Sequence, residues 1–282
     1  MTDLPVRRLL VDLQSPFERR WNGGDAFRSA FFNALSMSFP VGEQFFIDSV
    51  RDGLAKLPTD LPAERRAEFE AEVRGFIGQE ATHRRIHALY NQQLQQQGFV
   101  NHWEQRAKRR LRKLEGVDVR IWLGATAATE HFTAILAEHL LNHHSPLAGA
   151  EPRLALLWRW HSAEESEHRC IAFDLYRALG GNQTWRQRLF LIVTWHFATD
   201  ALRQTLHNLW RDGALWRWST WKSAWRFLFA GQDGEPGLIP AIAGPWRAYR
   251  RADFHPGQHG GEAGGRWLAD NAASYTLVGR AL

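Results

Sequence analysis

Apolar side chains recur along this chain at intervals of three and four, the period of an α-helix. No stretch sustains the every-second-residue alternation of a half-buried strand. From Asp25 to about Leu57 the apolar positions are Phe27, Phe31, Phe32, Leu35, Phe46 and Val50. Pro40 interrupts them, and a kink or short break is expected there, because proline lacks a backbone donor and crowds the preceding turn. Pro58 and Pro62 bracket a turn. A second helix is predicted from about Ala63 to Gln97, ended by Gly98, and a third from Asn101 to His144, divided near Gly116. The fourth covers Glu151 to Leu179 and stops at Gly180-Gly181. Helices are then expected at about 184–211 and 214–229, irregular chain rich in Gly and Pro over 231–265, and a short helix at 266–279. The pattern predicts an all-α protein in three parts. An N-terminal surface segment (1–24) wraps the outside of a four-helix bundle (25–182), and a C-terminal helical cap (183–282) packs on that bundle.

With 282 residues, 44% hydrophobic and 23% charged, the chain can bury a substantial core and has the composition of a folded protein. Its single cysteine, Cys170, excludes an intrachain disulfide framework and any cysteine-based zinc or iron–sulfur site. The N-terminus lacks the uninterrupted apolar core of a signal peptide. The longest apolar stretch, roughly Leu189 to Thr199, falls short of the ~20 residues that span a bilayer. A cytoplasmic location is therefore expected. The formal charge of +5 suits anionic partners such as lipid headgroups or carboxylates without choosing among them.

The chemistry lies in two Glu-x-x-His units, Glu80-Ala-Thr-His83 and Glu165-Ser-Glu-His168, each preceded at long range by another glutamate, Glu43 and Glu130. Residues three apart on a helix sit about 300° around and about 4.5 Å along, so each pair projects from one face. Four carboxylates and two imidazoles on four helices form the set with which a helical bundle holds two iron or manganese ions. Carboxylates bridge two cations and reduce their repulsion, while imidazole adds a nitrogen donor suited to iron, manganese or zinc. Glu43 and Glu80, and Glu130 and Glu165, are each separated by the length of one helical hairpin. A set of surface charges is the plain alternative. Glu130 speaks against it, because its helical neighbours Thr126, Ala127, Thr133, Ala134 and Ala137 are small or weakly polar, and a buried carboxylate there needs a counter-charge. His161 lies four residues before Glu165 on the same face and is a candidate third histidine ligand. His87, placed similarly after His83, is expected behind the ligands, and Glu164 and Glu167 are expected in solvent or paired with arginines.

These residues resemble the ferritin-like di-iron carboxylate superfamily. The wider run from Trp160 through His161 and His168 to Asp174 looks like the bacterial family of predicted metal-dependent hydrolases, over nearly the whole chain. The spacing His161-x-x-x-Glu165-x-x-His168 is also similar to that of di-iron aminoarene N-oxygenases, and by that resemblance His161 binds metal directly. The resemblance implies a metal set of Glu43, Glu80, His83, Glu130, His161, Glu165 and His168, with Glu80, Glu130 and Glu165 as catalytic carboxylates. Two Fe ions, with Mn or Zn as alternatives, would then activate O2 as co-substrate to oxidise a small apolar or lipid-like molecule in a channel lined by Thr126, Thr129 and Thr133. Hydrolysis by a metal-bridging water is the competing expectation, and iron storage a third. An electron-donor protein is an implied partner of the oxidase reading, and a homodimer is compatible with all three.

Between Gln183 and Ala230 lie seven tryptophans and seven Lys or Arg residues, against two acids, Asp200 and Asp212. Tryptophan interleaved with arginine fits a helical cap on the bundle, and equally peripheral contact with a membrane. A lipid or fatty-acyl substrate would reconcile the two. The stripe His196, Asp200, Arg203 and His207 is expected to face solvent, pair with other side chains, or border the substrate entrance. The basic run Arg106, Lys108, Arg109, Arg110, Arg112 and Lys113 reads as a solvated helix face, since no motif for specific nucleic-acid recognition accompanies it.

Overall fold

A short polar side chain caps the start of most long helices, satisfying backbone donors that the first turn leaves unpaired. In the computed structural model, which describes residues 4–258 and 260–278, Asp25 accepts from the Arg28 amide and opens α1 (Ala26–Ala55). Asn101 opens α3 (His102–Leu111), Asp118 opens α4 (Val119–Asn142), and Glu151 opens α5 (Pro152–His168). Asn182 opens α7 (Gln183–Arg211). Only α2 (Ala63–Gln96) among these long helices starts without a side-chain cap, following Pro62. The predicted third helix is divided as expected: Gly116, at φ +76°, turns the chain between α3 and α4.

Helices α1 and α2 pack as one hairpin, and α4 packs with α5 and with α6 (Ile171–Ala178) as the other; α1 against α4 joins the two. The result is an all-α helical bundle. The long helix α7 lies against both α1 and α4, and α3 covers α1. The C-terminal elements α8 (Trp218–Trp225), α9 (Leu238–Ala248) and α10 (Glu262–Asp270) pack on α1, α4 and α5 respectively.

Two hydrophobic halves make up most of the core, beside a smaller cluster that joins Phe27 of α1, Leu209 of α7 and Ala224 of α8. One half gathers Phe32, Leu35 and Met37 of α1, Ile86, Tyr90 and Leu94 of α2, and Leu157, Trp158 and Trp160 of α5. The other gathers Phe46 and Val50 of α1, Phe69, Val73 and Phe76 of α2, and Leu123 and Ala127 of α4, with Phe190, Tyr249 and Phe254 from the C-terminal part. On α1, α2 and α5 the candidate metal residues lie at the level between the halves.

Several sequence expectations change. Pro40 does not break α1, which runs unbroken through it. Proline cannot donate to the carbonyl four residues back, and that carbonyl, of Ser36, accepts from Asn91 Nδ2 of α2 at 2.9 Å. The neighbouring Met37 carbonyl accepts from Asn101 Nδ2 at 2.7 Å. The helix therefore continues because side chains from outside take over the freed acceptor. The fourth helix, by contrast, is interrupted directly after His168, where Arg169 and Cys170 form a turn before α6.

The N-terminal segment is more than a surface wrap. Leu9, Leu13, Phe17 and Trp21 are buried in the first half-core. Its strand β1 (Arg7–Leu9) pairs antiparallel with β2 (Tyr275–Leu277) near the other end of the chain, Arg8 opposite Thr276. The segment crosses α2 at Gly78, where a Cβ would stand 2.3 Å from a methyl of Val6, so only glycine admits this approach. Residues 231–265 are not irregular throughout, since α9 forms inside them from the apolar run Leu238-Ile-Pro-Ala-Ile; Pro240 falls in its first turn, where a missing donor costs nothing. The predicted helix at 266–279 is instead α10, a 3-10 turn (Ala272–Ser274) and β2, and residue 279 lies outside the described residues. The helix expected at 214–229 is α8 followed by a π-helical turn, Arg226–Ala230.

Replacing Asn91 by Ala leaves the Ser36 carbonyl without its donor. The expected loss is about 1–3 kcal/mol of unfolding free energy, read as a lower urea midpoint with an unchanged slope.

Candidate metal centre

All seven side chains singled out as metal ligands are buried, none more than 3% exposed. Glu43 comes from α1, Glu80 and His83 from α2, Glu130 from α4, and His161, Glu165 and His168 from α5. Ligand atoms of Glu80, His83, Glu165 and His168 lie within 4.8 Å of one another, as do those of Glu43, His87 and His161. Glu165 Oε1 joins the two groups, at 2.9 Å from His161 Nε2, 3.5 Å from His83 Nδ1 and 3.9 Å from His168 Nε2. His168 Nε2 also stands 3.5 Å from Glu80 Oε1, and His168 Nδ1 is 3.1 Å from Glu130 Oε2. The sequence-predicted set converges on one place.

Whether this cage fits cations is answered by its unpartnered atoms. Both carboxylate oxygens of Glu43 and both of Glu80 are buried without a hydrogen bond, as are Glu130 Oε1, Glu165 Oε2, His83 Nδ1 and His168 Nε2. Buried polar atoms are rarely left so. Four carboxylates and three imidazoles would suit two divalent ions in donor type, and two such charges balance four ionised carboxylates. The residues fit the group.

Two of the histidines are oriented from outside the cage. The chain of donors begins at Asn91, whose Nδ2 donates to the Ser36 carbonyl and so turns its Oδ1 toward Ser36 Oγ, which donates to it at 2.9 Å. Ser36 Oγ must then accept from His87 Nδ1 at 2.9 Å. His87 Nε2 is left as an acceptor for the Nδ1 proton of His161, at 2.8 Å. His161 consequently presents a bare Nε2 to the cage. His87 stands near Glu43, but both its nitrogens are engaged, so it positions His161, as its sequence placement suggested. His83 is held likewise: its Nε2 lies 2.9 Å from Glu164 Oε2 and its Nδ1 faces inward. Glu164 is not solvated. It is fully buried and paired with Arg7 at 3.1 Å, while Glu167 takes the same guanidinium at 2.7 and 2.9 Å and the Gln79 amide at 2.8 Å. The expected pairing of Glu164 and Glu167 with an arginine is met. Arg7, Gln79, Ser36 and Asn91 were not anticipated as contributors to the site.

The charges of the metal-free cage follow from its dryness. Burial, with the repulsion of Glu165 and Glu130, raises the Glu43 and Glu80 carboxyls well above the usual range. Burial pushes Glu130 up to about 7, against the opposing pull of His168. Burial opposes the charged His83, yet its hydrogen bond to Glu164 and the nearby carboxylate of Glu165 outweigh it and raise this imidazole to about 10. Burial and the neighbouring His83 lower His161 to about 4, which keeps it neutral.

A narrow hollow of about 50 Å³ reaches the cage and is lined by His161 and Glu165 together with Phe39, Thr133, Phe197 and Phe227. Beside it opens a cleft of about 450 Å³ between α1, α3, α4 and α7. Phe39, Thr133 and Phe197 line both spaces. Of the three threonines expected along a channel, Thr129 and Thr133 line the cleft, whereas Thr126 is buried away from it with an unpartnered hydroxyl. His196 borders the cleft, Asp200 is buried between Arg106 and Arg110 of α3, and Arg203 is exposed. Those two arginines are thus structural partners rather than part of a wholly solvated face.

Two measurements test this geometry. At neutral pH the protons held by Glu43, Glu80 and His83 compete with cations, so divalent metal binding should release protons and strengthen as pH rises. Calorimetric titration in buffers of different ionisation enthalpy reads this; binding that takes up protons or weakens with pH would contradict it. Glu164→Gln and His87→Ala each remove a histidine orienter, and each should weaken metal binding by about 10–100-fold while leaving the number of bound ions at two.

A sequence profile for proteins described as predicted metal-dependent hydrolases matches residues 5–260. No curated protein and no solved structure matches. The matched span includes the N-terminal strap with Arg7, every residue of the cage and the C-terminal helices through α9. The chain belongs to the family of predicted metal-dependent hydrolases.

Proposed function

We propose that this protein is a metal-dependent hydrolase with a dinuclear centre, acting on an ester-like substrate with an apolar body. The observation that carries the reading is the cluster of buried, unpartnered carboxylate oxygens and imidazole nitrogens reached by a narrow hollow beside an apolar cleft; the family description supports hydrolysis. Glu80, His83, Glu165 and His168 would hold one cation, Glu43 and His161 the other, with Glu165 shared between them. A ferritin-like placing of these ligands on four helices is part of the proposal. Two bound divalent cations would supply an acidified water and polarise the scissile carbonyl.

The remaining roles belong to the chain. His161 and Glu165 line the hollow, so substrate approaches the centre on their side. Phe39 stands with its ring 4.6 Å from that of His161 and, with Phe197, walls the narrow passage against bulk water. Glu130 Oε2 holds His168 Nδ1, and its free Oε1 is placed to accept a proton within the cage. The cleft volume suits a small organic molecule.

Oxidation of the substrate with dioxygen is the second reading. What supports it is His161, whose bare Nε2 faces Glu165 Oε1 at 2.9 Å and is open to a metal, as the resemblance to di-iron N-oxygenases implies. An electron-donor protein would belong to that reading alone.

One experiment separates them. Protein loaded with Zn(II), Mn(II) or Fe(II) without oxygen should cleave nitrophenyl esters of medium-chain acids, and Glu165→Ala should reduce kcat/KM at least a hundredfold. A loaded centre inert toward esters and phosphoesters, but oxidised on exposure to oxygen by optical and Mössbauer spectroscopy, would overturn hydrolysis in favour of oxidation. Many irons per chain, rather than two, would point to storage.

A further inference from the structure

Helix α7 is turned partly inside out. Its polar residues Asp200, Gln204 and Asn208, four apart, are buried and fully engaged. Asp200 pairs with Arg106 and Arg110, Gln204 accepts from the His102 and Trp103 amides, and Asn208 donates to the Ala30 carbonyl. Leu189, Phe190 and Leu209 join the core, but a second set of large apolar residues faces away from the protein. Trp185 is 46% exposed, Ile192 50%, Trp195 67%, Leu202 58% and Trp210 57%. At 100° per residue they fall in one sector of about 100°, stretched over about 38 Å of helix. Past the C-terminal end of α7, Trp216 and Trp218 are 89% and 81% exposed and Trp225 is 62%.

An apolar surface of this extent marks an interaction site, and its charges say with what. Arg188, Arg203 and Arg211 are exposed on α7, and Arg217, Lys222 and Arg226 are exposed on and next to α8. Neither acid of the segment is free to answer them, since Asp200 is buried and Asp212 pairs with Arg20. Arg188 lies 5.5 Å over the Trp185 ring and Arg211 5.8 Å over that of Trp210, so the two residue types share the surface. A second copy of the chain, docked through the same face about a two-fold axis, would bring these cations against one another. An anionic partner that is also apolar beneath its charges fits both features. No helix among the described residues is long and apolar enough to cross a membrane.

We infer that the outer face of α7 and the tryptophans of α8 dock this protein on the surface of an anionic phospholipid bilayer. The indole rings sit at the headgroup level, where an amphipathic ring is most favourable, and the arginines and lysine engage lipid phosphates. Ile192 belongs to this face and also lines the cleft that leads toward the metal centre. The cleft therefore opens beside the bilayer. The inference does not depend on the reaction or on the metal.

The test is flotation of the full chain, with and without divalent cations, on vesicles of phosphatidylcholine alone or with one-third phosphatidylglycerol. Binding is expected on the anionic vesicles, weak on the neutral ones, and reduced by 0.5 M salt. Replacing Trp195, Trp216 and Trp218 together by Ser should lower the partition coefficient at least tenfold. Arg217→Gln and Arg226→Gln should each lower it roughly fivefold at low salt. All five positions are exposed, so unchanged circular dichroism and melting temperature confirm that folding is intact. Equal affinity for both vesicle types, or no binding to either, overturns the inference. So does a stable dimer in sedimentation whose formation is abolished by the same tryptophan changes, because the face would then be an interface between copies.

Discussion

Four carboxylates in a space from which water is excluded form the constraint that organises this protein. Removing a carboxylate from water costs several kcal/mol even after relaxation, and Glu43, Glu80, Glu130 and Glu165 are all placed there with most of their oxygens unpartnered. A metal-free cage relieves the cost by keeping protons, which is why three of the four carboxyls are pushed up. Two divalent cations would relieve it by charge. The hydrophobic core accommodates the cage by dividing into halves above and below it, and the rest of the fold holds these side chains in place against their mutual repulsion.

Holding them takes partners well outside the cage. The tautomer of His161 is set by Asn91, through Ser36 and His87, and the amide that starts this series is itself engaged by the carbonyl that Pro40 releases. A helix-breaking residue in α1 thus serves the site, since it leaves the Ser36 carbonyl without its helical donor and open to Asn91. His83 is set from the opposite side by Glu164, which Arg7 of strand β1 holds in a buried ion pair. The β1–β2 pairing and the seat of Val6 over Gly78 place that arginine. Chain segments that look peripheral in sequence therefore carry second contacts to the candidate metal ligands.

The same trade between inside and outside governs α7. Its amides and its aspartate are drawn inward because α1 and α3 offer carbonyls, amides and guanidinium groups that need partners. The indoles of the helix are left outward in consequence. The cleft beneath α7 and the apolar face above it are the two sides of one element, which links access to the buried cage with the environment outside the protein.

Periodicity and motif spacing were sufficient to read the helical class, the long helices α2 and α7, the division at Gly116 and the convergence of seven ligand candidates. Those features depend on residues three and four apart, and local helix geometry alone dictates them. Glu164 shows where such reading stops. On the wheel it lies about 100° from Glu165, yet His161, Glu164, Glu165 and His168 follow the i, i+3, i+4, i+7 rule of a wide inward face, a signal open to recognition. Arg7 had no such signal, because 157 residues separate it from Glu164 and only the packed chain brings them together. The continuity of α1 through Pro40 likewise depends on which distant group satisfies a backbone atom, the Ser36 carbonyl, and no local pattern contains that information.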